Sequence, residues 1–155
     1  MRLQLALNVS DIDTAVDFYS RLFATEPTKR KPGYANFEVA EPPLKLVLIE
    51  GPGGGTLNHL GVETDSGDQV MAAEARLAGA GLETTGVDDT TCCYATKTET
   101  WVSDPDGAPW EWYVKTGDAE QMTDAPAEGG AACCAPAVVV AVGTPTEAPS
   151  DVGCC

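Results

Sequence analysis

From Arg2 to Val9 large apolar residues fall at every second position, Leu3, Leu5, Leu7 and Val9, the pattern of a half-buried strand. The period then changes. Ile12, Ala15, Val16, Tyr19, Leu22 and Phe23 recur at helical spacing. Ser10 precedes them as the expected N-cap, with Asp13 three residues on as in a capping box. Strands are predicted at Tyr34–Val39 and Leu44–Glu50, with Glu41-Pro42-Pro43 as the break between them, and a short one at Lys29–Lys31.

Gly51-Pro52-Gly53-Gly54-Gly55 reads as a connector, and the order then repeats. A strand is predicted at Leu57–Thr64 and a helix over Ser66–Ala80, ended by Gly81. Further strands are expected at Leu82–Val87, Cys92–Ala95, Glu99–Val102 and Trp110–Lys115. Asp104-Pro105-Asp106-Gly107 is a turn signal before the last. Segment 84–98 is the most irregular stretch and reads as a possible mobile loop. The result is an α+β chain of two βαβββ modules, residues 1–55 and 56–116.

Superposing the modules aligns Gln4 with His59 in the first strands and Lys45 with Glu111 in the last. A pseudo-twofold fold would turn all four side chains toward one cavity. Three of them can bind a metal. The fourth is a lysine, which leaves one coordination side open. Each also has a plainer reading. His59 could be structural, Gln4 a hydrogen-bonding residue of the barrel lining, Glu111 a paired carboxylate and Lys45 a structural or solvated lysine.

Charge narrows the partners. The chain carries a net −15. Residues 1–116 hold nine basic and eighteen acidic residues, and residues 117–155 hold six acidic and no basic ones. Such a surface repels nucleic acid and anionic membranes. No apolar run is long enough for a membrane-spanning helix, and Met1-Arg2-Leu3-Gln4 opens no signal-like segment. A soluble cytoplasmic protein is expected. Residues 117–155 lack aromatics and are rich in Ala, Gly and Pro, so they are expected to form a disordered tail.

All six cysteines occur as adjacent pairs: Cys92-Cys93, Cys133-Cys134 and Cys154-Cys155. A disulfide framework spreads its cysteines to staple distant segments. Adjacent free thiols point instead to a soft metal or metalloid. The alternative for Cys92-Cys93 is a buried structural pair.

Several segments resemble one known family. They are Leu3–Val9, Phe18–Phe23, Lys29–Phe37, Pro42–Leu48, Gly55–Glu63 and Thr91–Ala95, together with the turn at Asp104–Gly107 followed by Glu111. They resemble the ArsI/CadI family of organoarsenical carbon–arsenic lyases and cadmium-induced proteins. That family lies within the vicinal-oxygen-chelate superfamily of glyoxalases, extradiol dioxygenases and bleomycin-resistance proteins. The resemblance spans about residues 2–116. It implies a metal-centred half-barrel and an Fe(II)-dependent dioxygenase that uses O2 to release arsenite from methylarsenite or aromatic arsenicals. It carries metal ligation to Gln4, His59 and Glu111, and As(III) binding to Cys92 and Cys93. Ligand type alone leaves Zn(II), Mn(II) and Ni(II) open beside iron. Cys133, Cys134, Cys154 and Cys155 are candidate secondary thiols for released arsenite. The competing expectation is a non-catalytic protein that sequesters Cd(II) or As(III).

Overall fold

The computed structural model describes residues 1–122. The elements run β1 (Arg2–Val9), α1 (Ile12–Phe23), β2 (Lys29–Lys31), β3 (Tyr34–Val39), β4 (Leu44–Glu50), β5 (Thr56–Glu63), α2 (Gly67–Gly79), β6 (Asp88–Cys92), β7 (Ala95–Ser103) and β8 (Pro109–Asp118). This is βαβββ twice, as the sequence pattern implies. The strands form one curled sheet in the order β2-β3-β4-β1-β5-β8-β7-β6. The modules meet at the antiparallel β1–β5 pair, and each first strand lies parallel to its module's last.

Alternation within each strand divides the sheet into two faces. One face carries Leu5, Leu7, Phe37, Leu46 and Leu48, which pack under α1 with Ile12 and Val16. On the second module α2 covers β7 and β8. The opposite, concave face receives the polar members of the alternation. Gln4, Asn36, Lys45, His59, Lys97, Glu99 and Glu111 are all buried. So many buried ionisable groups on one face mark it as the chemical face of the molecule.

Several local expectations are corrected. Asp11, not Ser10, caps α1, its carboxylate accepting from Thr14 N–H at 2.7 Å. Leu22 is exposed rather than part of the packed face of α1. Leu82–Val87 is no strand; only Thr84 bridges to Val102. Cys92–Ala95 is not a strand either but the turn of a hairpin. Segment 84–98 is largely this β6–β7 hairpin instead of an open loop. β8 continues to Asp118, two residues past the expected edge of the module, because β7 offers it partners as far as Ala95. The tail from residue 123, with Cys133, Cys134, Cys154 and Cys155, lies outside the described residues.

Candidate metal and thiol site

Gln4 (β1), His59 (β5) and Glu111 (β8) converge on the concave face. Gln4 Nε2 lies 2.9 Å from His59 Nε2 and 3.0 Å from Glu111 Oε2, and the latter two are 3.5 Å apart. Two local devices bring this about. β5 bulges at Asn58: Ala6 faces His59 while Leu7 faces Leu57. A bulge re-aims the adjacent side chain. Gly61 stands opposite both Gln4 and Glu111. A Cβ there would approach Gln4 Cβ, Gln4 Nε2 and the Glu111 carbonyl oxygen to 3.3 Å each. The missing side chain opens the space in which the amide meets its neighbours. Glu111 therefore pairs in register with Gly61, two residues along from His59, so the superposition of modules holds for face but not for register.

The donor set suits a divalent cation. His59 Nδ1–H donates to Asn58 Oδ1 at 2.7 Å, and Asn58 is itself held by Asn8 at 2.8 Å. That bond leaves the Nε2 lone pair facing Gln4 and Glu111. Two electron-pair donors thus surround the Gln4 amide NH2. Tyr113 O–H donates to Gln4 Oε1 at 2.5 Å. A half-turn of the amide exchanges its N and O, since the tyrosine hydroxyl can accept as well as donate. The set would then present one imidazole nitrogen, one carboxylate and one amide oxygen, all borderline or hard ligands. Among the described residues no three His, Cys, Asp or Glu side chains cluster for a metal, so the set depends on this amide.

Three residues that sequence reasoning passed over complete the site. Lys97, on β7, pairs with Glu111 Oε1 and lies 3.0 Å from Glu99 Oε2. The second contact is a charge pair without hydrogen-bond alignment. Burial raises the Glu111 carboxyl, but the charge of Lys97 outweighs it and holds the group well below the usual carboxylate range. Burial opposes the Lys97 ammonium, and Glu111 and then Glu99 outweigh it, so Lys97 stays charged. Burial raises Glu99, against the pull of Lys97. Trp101 donates to Glu99 at 3.0 Å and meets the His59 ring edge-on at 5.3 Å. Lys45 lines the same cavity but bonds Glu63 at 2.9 Å rather than any of the three donors.

Cys92 and Cys93 line this cavity together with Gln4, His59, Tyr34 and Lys97. Neighbouring residues of a strand point to opposite faces. Here Cys93 and Tyr94 adopt φ of 58° and 60°, forming a two-residue turn between paired Cys92 and Ala95. The left-handed conformation folds Cys93 back, and the two Sγ atoms sit 3.0 Å apart as thiols rather than a disulfide. Hairpins with both central residues left-handed normally use Asn-Gly or Gly-Gly. Cysteine and tyrosine there are a departure that tends to accompany function.

A curled eight-stranded sheet of paired βαβββ modules with its buried polar side chains on the inner face is the architecture of the vicinal-oxygen-chelate class. The family model of the Glyoxalase/Bleomycin resistance protein/Dioxygenase superfamily matches residues 3–112, and the chain belongs to that superfamily. Within it, the chain falls in the ArsI/CadI family. It is 55% identical over 139 residues to the cadmium-induced protein CadI of Mycobacterium tuberculosis, covering 86% of this chain and 91% of that one. It is 52% identical over 137 residues to the trivalent organoarsenical cleaving enzyme of Thermomonospora curvata, covering 87% and 89%. An extradiol ring-cleaving dioxygenase from B. fuscum shares the fold at a TM-score of 0.57, with 21% identity over 79% of this chain and 34% of that one.

Proposed function

We propose that this chain is a metal-dependent enzyme that cleaves the carbon–arsenic bond of trivalent organoarsenicals, with O2 as co-substrate. One observation carries the reading: two adjacent thiols line the same cavity as Gln4 and His59, which converge with Glu111 behind them. The 52% identical relative named as an organoarsenical cleaving enzyme supports it.

A trivalent arsenical with one organic group has two positions that thiolates can occupy. Cys92 and Cys93 would take both and leave the organic group directed into the cavity. Gln4, His59 and Glu111 would hold the metal, and Fe(II) there would supply the O2 chemistry that side chains lack. Lys97 keeps Glu111 ionised and its Oε1 engaged. Asn58 fixes the His59 ring. Tyr113 fixes the Gln4 amide. Methyl is the smallest organic substituent and the one to test first. For methylarsenite the reaction balances as CH3As(OH)2 + O2 giving As(OH)3 + HCHO. Carbon gives up four electrons to O2, and arsenic stays trivalent. Holding both reactants in one cavity supplies proximity. A reducing cytoplasm would keep the thiols from oxidising to disulfides. No described helix is long and apolar enough to cross a membrane.

Anaerobic protein loaded with Fe(II) and methylarsenite, then exposed to O2, should release arsenite and formaldehyde in equal amounts. Absence of both rejects the proposal. The 55% identity to a cadmium-induced protein favours a second reading, sequestration of Cd(II) or As(III) by the thiols. Under that reading His59→Ala leaves arsenical resistance of cells intact; under the enzyme reading resistance is lost.

A further inference from the structure

The Cys93–Tyr94 turn lies where the two edges of the curled sheet come together. The β6–β7 hairpin forms one edge and β2 the other. Lys29 of β2 crosses the mouth: its Nζ donates to the Tyr94 carbonyl oxygen at 2.7 Å and pairs with Asp118. Lys31 pairs with Glu120 at 2.9 Å and stands over the Tyr94 ring at 5.8 Å. The chain beyond β8 completes the crossing. Ala119 N–H donates to the Tyr94 carbonyl oxygen at 3.1 Å. The N–H groups of Cys93 and Tyr94 donate to the carbonyl oxygens of Met122 and Gln121 at 2.5 and 3.0 Å. Met122, Cys93 and Tyr94 all pack against the buried cluster of Ala6, Tyr34 and Val47.

A non-glycine residue stays left-handed only where its surroundings over-determine it. Here Lys29 and residues 118–122 supply those surroundings. We infer that Lys29 and residues 118–122 form a strap that holds the Cys93–Tyr94 turn left-handed, and that this hold sets the two thiols at the spacing a bridging ligand needs. The inference rests on reading Cys92 and Cys93 as the arsenical-binding pair. Its physical content is preorganisation: the ligand meets thiols already on one side of the sheet and spends no free energy turning Cys93 inward.

The test uses the full chain with Cys133, Cys134, Cys154 and Cys155 changed to serine, so that only the turn can chelate. Phenylarsine oxide, which takes two thiols, is titrated calorimetrically. Lys29→Met with Ala119→Pro removes both donors to the Tyr94 carbonyl, and affinity should fall about tenfold or more. Adding Tyr94→Gly should recover most of the loss, because glycine holds φ near +60° unaided. Unchanged affinity in the double variant, or no recovery with glycine, overturns the strap. Alkylation of Cys93 by iodoacetamide gives a readout independent of arsenic. Lys29→Met should speed it and Lys29→Arg should return it to the parent rate; an unaltered rate also overturns the strap. Failure of the parent chain to bind phenylarsine oxide instead overturns the reading of the thiol pair, and the alkylation rates then decide the strap alone.

Discussion

Replacing Lys97 with methionine keeps the volume of the side chain and removes an ammonium that faces both Glu99 and Glu111. Both carboxylates are buried, Glu111 completely. Removing one partner of a buried ion pair costs about 3–5 kcal/mol, because the remaining charge is left without compensation. The lower end applies here. Glu99 already has a raised affinity for protons and can take one up, then donate to Glu111. The 122 described residues at ~2.1 cal/mol/K each give an unfolding entropy of ~0.26 kcal/mol/K. A loss of about 3 kcal/mol then lowers Tm by about 12 °C. Differential scanning calorimetry of metal-free Lys97→Met should show this. Adding Glu99→Gln should recover part of it. Saturating Zn(II) should raise Tm more in the variant than in the parent, since it restores a positive charge beside Glu111. A decrease below about 3 °C in the metal-free variant would refute the assignment of Lys97 as the counter-charge of the site.

Gly61→Ala places a methyl group between Gln4 and the Glu111 backbone, both at 3.3 Å; divalent-metal affinity measured by competition with a chelating dye should fall about tenfold, while overpacking costs about 1–3 kcal/mol in chemical denaturation. Changing Cys93 to serine should abolish phenylarsine oxide binding at the turn and leave Mn(II) binding, followed by electron paramagnetic resonance, unchanged. Burial raises the Glu63 carboxyl, but Lys45 and Arg2 outweigh it, so its folded value lies below the ordinary 4.5. Its stabilisation is therefore complete above pH 4.5 and lost as pH falls through the lower folded value. The stability difference between the parent and Glu63→Gln should close over that window in urea titrations.

The fold was legible wherever burial and period coincide. Arg2–Val9, Tyr34–Val39 and Leu44–Glu50 carry their apolar residues in strand patterns, and the structure has strands at those positions. β6 is the opposite case. Asp88-Asp89-Thr90-Thr91-Cys92 has almost no apolar face and forms by pairing with β7 at the sheet edge. Its turn contains no Gly, Asn or Pro, so composition gives no sign that the chain reverses there. The metal candidates came from the internal repeat, which superposes Gln4 on His59 and Lys45 on Glu111, and from the family resemblance. Lys97 was not legible, since it falls in segment 84–98, which reads as a loop. The available clue was alternation: Lys97, Glu99 and Trp101 share a face, and Trp101 pairs with Glu111.

The β1–β5 seam has a further meaning. Gln4 lies on one side of it and His59 with Glu111 on the other, so neither half of the molecule owns a complete donor set. A cation bound there would work as a rivet between the halves, tightening the seam by an amount that grows with the ratio of free cation to its dissociation constant. Breathing motions that part the seam would also be the route by which the cation escapes. Hydrogen exchange along β1 and β5 and the rate of metal loss would then be two measures of one opening.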